Sequence, residues 1–143
     1  MKKKGAVMEF ARERIDDLMN AYDSYLEKCK FIKMPDVYKS IVSMPAKRFY
    51  VSDTRAALVV ASLMRGEPAL KGMWQTKRRM YQDIYNRVLV LKDKKPNLSI
   101  VQLCAIVVAQ PAPEFYITPG TAKVMICKIR REWKKRKLQR FQH

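Results

Sequence analysis

Two octets constrain this chain more than any other feature: PAKRFYVS at Pro45–Ser52 and PAPEFYIT at Pro111–Thr118, 66 positions apart. Sliding residues 15–65 onto 81–131 at that offset, without a gap, gives ten identities in 51 pairs. Among them are Asp17 with Asp83, Lys28 with Lys94, Ala56 with Ala122 and Arg65 with Arg131. The apolar rhythm also survives, as in Ile41 with Val107, Leu58 with Val124 and Val60 with Ile126, so the pairing extends beyond the octets to whole amphipathic segments. The expectation is a duplicated helix–elbow–helix unit, with an internal repeat over 15–65 and 81–131.

Within each octet the proline disfavours helical geometry in the residue before it. The Phe-Tyr pair (Phe49, Tyr50 and Phe115, Tyr116) supplies large buried area. Ser52 or Thr118 then caps the following helix, and Pro119 takes a first-turn position where its missing N–H costs nothing. Packing is the favoured role for these aromatics. Base stacking is the alternative.

Helical spacing places Val7, Phe10, Ile15, Leu18, Met19, Tyr22 and Tyr25 on one face of a first helix and starts a short second one at Pro35. A third runs from Asp53 to about Arg65 and ends at Gly66. The second half repeats the order: Trp74 to Leu91, a charged turn with Pro96, then a helix from Ser99 to Ala109. No segment alternates as a strand does, so the fold class is all-α, with at most a short extended piece at each elbow. At 143 residues the chain suits a single domain, because halves of about 65 residues would be marginal apart.

Charge brings in function. Thirty Lys and Arg against 13 Asp and Glu give a net charge of +17, which calls for a polyanionic partner. Residues 1–66 carry +5 and residues 67–143 carry +12, so the excess lies in the second half. The helix opening at Pro119 sets Ala122, Met125, Ile126, Ile129 and Trp133 on one arc and Lys123, Arg130, Lys134 and Lys137 on the next, with Lys128, Arg131 and Lys135 further round. Lys77, Arg78 and Arg79 form a second cluster, and the basic C-terminal tail 134–143 reads as a phosphate-tracking arm, a frayed helix end or a solubilising terminus. Helix, elbow and capped basic helix is a helix-turn-helix-like order, although about eight residues replace the usual three- or four-residue turn. In the corresponding first-half helix only Arg55 and Arg65 are cations, and its apolar surface all round predicts burial.

The expected function is therefore binding of nucleic acid, with duplex DNA favoured and RNA open. A structural or adaptor protein bound to an acidic partner is the reading from another class. Homo-oligomerisation is open. No membrane partner is expected, because no stretch approaches 18 apolar residues. No enzyme is expected either: the chain has four glycines and no phosphate loop, and no Ser has a plausible His partner. Asp16, Asp17 and Asp83 fall on polar faces, where a solvated or ion-paired carboxylate is ordinary and a nuclease metal site is not. No metal or cofactor is expected: Cys29, Cys104 and Cys127 sit in apolar patterns as small hydrophobes, and the one histidine is His143.

The stretches MPAKRFYVSDTRAALVV and PAPEFYITPGTAKVMI resemble those of small basic proteins of phages and other bacterial mobile elements, over roughly residues 35–131. That resemblance implies a cytoplasmic protein, nucleoid-associated or in a phage-infected cell, and carries over no residue role.

Overall fold

Local signals set the helix ends in the computed structural model, which describes the backbone of residues 4–141 and the side chains of 10–140. Val7 and the tail residues Gln142 and His143 lie outside the described side chains. Six α-helices are present among the described residues: α1 (Lys4–Lys28), α2 (Met34–Val42), α3 (Asp53–Met64), α4 (Gln75–Lys94), α5 (Ile100–Val108) and α6 (Pro119–Phe141). Ser52 Oγ accepts from the Arg55 N–H at 3.1 Å at the start of α3, and Thr118 Oγ1 accepts from Thr121 N–H at 3.1 Å at the start of α6. Gly66, at φ +77°, adopts the left-handed turn that closes α3. α4 runs three residues past Leu91, its length set by Pro96, before which Lys95 leaves helical geometry.

α5 begins with a reciprocal pair that apolar spacing does not reveal. Ser99 Oγ accepts from Gln102 N–H at 3.2 Å, while Gln102 Oε1 accepts from Ser99 N–H at 2.9 Å. Ser99→Ala should therefore lower stability by about 1 kcal/mol, read as a shift of the urea midpoint at unchanged slope.

The chain divides into two compact units, Met1–Met44 with Ile117–His143, and Pro45–Tyr116. In the first, α1, α2 and α6 pack against one another. Its core is Leu18, Met19 and Tyr22 from α1, Val37, Tyr38 and Ile41 from α2, and Ala122 and Ile126 from α6. In the second, α3, α4 and α5 pack together, burying Ala56 and Val60, Met80, Tyr81, Ile84 and Val88, and Leu103, Cys104 and Val107. Each unit thus holds two consecutive helices and a third from the other half of the sequence. Four of the six corresponding helix boundaries keep the 66-residue offset, namely both ends of Met34–Val42 against Ile100–Val108, the starts Asp53 and Pro119, and the ends Lys28 and Lys94, whereas the starts Lys4 and Gln75 and the ends Met64 and Phe141 do not.

The elbows meet within the second unit. Ala46 and Ala112, one offset apart, form an antiparallel bridge, with N–H to O distances of 2.9 and 3.0 Å in the two directions. The extended pieces expected at the elbows thus pair with each other. Phe49 is fully buried and stacks on Tyr116, with centroids 5.8 Å apart at 18°. Arg87 lies 4.9 Å over the Phe49 ring and donates to Gln110 Oε1 at 3.2 Å and Pro111 O at 3.0 Å. Tyr116 has φ +57°, a left-handed conformation that costs a tyrosine about 1–2 kcal/mol, and its hydroxyl donates to Asp83.

Four expectations change. α3 is not buried all round: Leu58 is 72% exposed, and only Ala56, Ala57 and Val60 of the helix are buried. Of the two states expected for these carboxylates, solvated or ion-paired, full solvation does not hold: Asp17 is 6% exposed and Asp83 is half-buried under the Tyr116 hydroxyl, because the polar face of each parent helix lies partly against its own unit. Cys104 is buried as a small hydrophobe should be, whereas Cys29 and Cys127 are half-buried. Trp133 lies outside the core and is described with α6 below.

Burial raises the Tyr116 phenol, with help from its bond to Asp83, and pushes Tyr38, beside Cys127, up to about 12. Both folded values exceed the unfolded tyrosine value of about 10, so their contribution is complete below pH 10 and is lost above it. Stability should fall from pH 10 towards 12, and Tyr38→Phe should flatten that limb in alkaline urea melts.

Candidate nucleic-acid interface

α6 is anchored at its N-terminal half and bare beyond it. Ala122 and Ile126 are buried, Met125 and Ile129 half-buried, and Cys127 Sγ lies 3.9 Å from the Tyr38 hydroxyl of α2. Arg130 donates to the Tyr22 hydroxyl of α1 at 3.2 Å, which fixes where the anchored half ends. From Arg131 to Arg140 every side chain is exposed except Glu132, which is half-buried. Residues 134–140 of the tail continue the helix as one rod with its anchored half.

The seven α6 positions expected to meet phosphate, Lys123, Lys128, Arg130, Arg131, Lys134, Lys135 and Lys137, are all exposed. Arg131 Nε donates to the Cys127 carbonyl at 3.4 Å, so one of its N–H groups is held along the helix. Two more cations belong with them, Arg136 and Arg140, three and seven residues beyond Trp133 on the same side. The positions of Arg136 and Arg140 relative to Trp133 carry that signal, but it is hard to see inside a run of cations.

Trp133 departs from its expected place. Its arc is the arc of Ala122 and Ile126, yet it is 50% exposed, because the surface those two pack on does not extend that far along the helix. With Arg130, Lys134, Arg136, Lys137 and Arg140 it lines an open groove of about 560 Å³. A half-bare indole among five cations offers a flat apolar face surrounded by positive charge.

Lys77, Arg78 and Arg79 are exposed on α4, in the unit that does not contain α6. Arg79 is engaged: its guanidinium donates to Glu114 Oε1 at 2.8 Å, and that bond raises its already high pKa further. α6 packs on α1 and α2, so the helix before it in sequence is not its partner within its unit. Among the described residues no group of three or more His, Cys, Asp or Glu is placed to hold a metal, and no helix is long and apolar enough to cross a membrane.

No family model, curated protein or solved structure matches the chain.

Proposed function

We propose that the protein binds nucleic acid without catalysing a reaction, with duplex DNA as its target and the C-terminal half of α6 as the element that meets it. The observation that carries this reading is the composition of residues 130–140: seven cations and one acid on a helix exposed over most of its circumference. A helix about 10–12 Å across matches a B-form major groove about 12 Å wide, and cations round its surface meet phosphates on both walls. The deep, narrow major groove of A-form RNA admits such a rod poorly, which favours DNA over double-stranded RNA. The helix-turn-helix-like order along the chain fits this role through α6 alone, with α1 and α2 as its mount. The resemblance of residues 35–131 to small basic proteins of phages and mobile elements supplies a setting in which bacterial or phage DNA is the polyanion at hand.

The test is binding of the full chain to a 30-base-pair duplex, the same single strand and a double-stranded RNA, each across 50–200 mM salt. Seven phosphate contacts give a log–log salt slope of about −6 on duplex DNA, with the duplex DNA bound most tightly. A slope near zero, or no duplex binding at 50 mM salt, sinks the reading and puts an acidic protein partner ahead.

A further inference from the structure

The turn between α1 and α2 carries the most exposed aromatic side chain in the described structure. Phe31 is 89% exposed and Ile32 55%, and Lys28, Lys30 and Lys33 around them are exposed as well. No acidic residue falls between Glu27 and Asp36. A single bare apolar residue on a surface is ordinary. Two adjacent large ones at the tip of a short turn, ringed by lysines, form a defined surface whose complement is an anionic body with an apolar interior.

The turn is also held. Cys29 N–H donates to the Leu26 carbonyl at 3.3 Å, and the Lys33 carbonyl accepts from Asp36 at 3.0 Å and from Val37 at 3.1 Å. Only five residues separate α1 from α2, and both ends are tied to helices that pack on each other. Phe31 and Ile32 are therefore presented by a short, anchored tip rather than by a loose arm. The turn one offset on, Lys94 to Ser99, keeps lysines but has Asn97 and Leu98 at the corresponding places, with Leu98 half-buried. The apolar tip distinguishes the unit that contains α6.

We propose that Phe31 and Ile32 form a wedge that enters a base step of the duplex bound through α6, with Lys28, Lys30 and Lys33 on the flanking phosphates; this rests on the DNA-binding reading. Stacked base pairs between two phosphate rails are apolar inside and anionic outside, and Phe and Ile are among the residues that pry such steps apart and bend the duplex. A lipid surface is the competing polyanion. Two side chains bury far less hydrocarbon than one myristoyl chain, which itself gives only marginal membrane binding.

The experiment uses the full chain and a 30-base-pair duplex carrying a donor and an acceptor at its ends and 2-aminopurine at internal steps. Wild type should raise both energy transfer, as the duplex bends, and 2-aminopurine fluorescence, as a step unstacks. Phe31→Ala with Ile32→Ala should abolish both signals while changing affinity by less than about tenfold and leaving the salt slope unchanged, since no phosphate contact is lost. Duplex binding by wild type without bending or unstacking overturns the wedge and leaves the DNA-binding reading standing. So do signals that persist in the double variant. Failure of wild type to bind the duplex at 50 mM salt overturns both. Sedimentation with phosphatidylglycerol vesicles that is tighter than duplex binding and lost in the double variant assigns the tip to lipid and overturns the wedge.

Discussion

Phe49→Ala should lower the stability of the fold by about 3–5 kcal/mol, the cost of truncating a phenylalanine with no exposed surface. Two further contacts go with the ring: the stacked face of Tyr116, and the apolar surface beneath the Arg87 guanidinium. Tyr116 holds a left-handed backbone with the help of that stack, so its strain is less well compensated in the variant. Thermal melts should show a drop on the order of 10 °C for a chain of this size. Phe115→Ala, at a nearly buried position, should fall in the same range. Nucleic-acid affinity measured on the folded fraction should be unchanged in both. A variant with wild-type melting that had lost binding would move these rings from the core to a contact surface.

The second large effect is on binding. Replacing Lys134, Lys135 and Lys137 by Gln removes three exposed cations from the bare half of α6 and disturbs no packed residue. Each phosphate contact contributes about 0.9 to the logarithmic salt slope, so three lost contacts flatten the slope by about 2.7 and weaken duplex binding about 100-fold near 0.15 M salt. The urea midpoint should stay where it is. Arg130 is left out of this set because its bond to Tyr22 would mix anchoring with binding. The control is Arg55→Gln with Arg65→Gln at the two ends of α3, where Arg65 already pairs with Glu67 at 2.5 Å. Equal losses from control and test would mean that phosphate is met by α3 as well as α6. No loss from the α6 set would defeat the proposed interface.

What could be read in advance was whatever local chemistry decides. Proline before an elbow, Ser52, Ser99 and Thr118 at helix starts, and Gly66 at a helix end act on their own neighbours, and the helices begin and end beside them. Packing partners were not legible. Helical periodicity marks the apolar side of α3 and of α6 but does not say which pair of helices each packs on, and α6 packs on α1 and α2 while α3 packs on α4 and α5. The same limit explains Trp133: helical periodicity shows which side a residue is on, not how far along the rod the covering surface extends. The burial of Asp17 was not legible because periodicity assigned it a polar face, and how far that face is covered depends on what packs there. The exposed tip at Phe31 lies in a turn, where no periodicity applies.

The division of the chain also imposes an order on its assembly. The unit Pro45–Tyr116 is continuous, and during synthesis it is complete before α6 has been made. The other unit is broken in two by it, so α1 and α2 must wait for a partner about 70 residues further along the chain. Closing a loop of that length costs about 4 kcal/mol of chain entropy by the logarithmic law. The Ala46–Ala112 bridge removes most of that cost beforehand, because once the inner unit folds, its two ends are pinned together and the intervening residues no longer behave as a free loop. Contacts distant in sequence then become nearly local, and docking of α6 is expected as the late step, with α1 and α2 exposed until it occurs. The helix with the greatest positive charge is thus the last to find its place, and an anion that engages it early competes with folding.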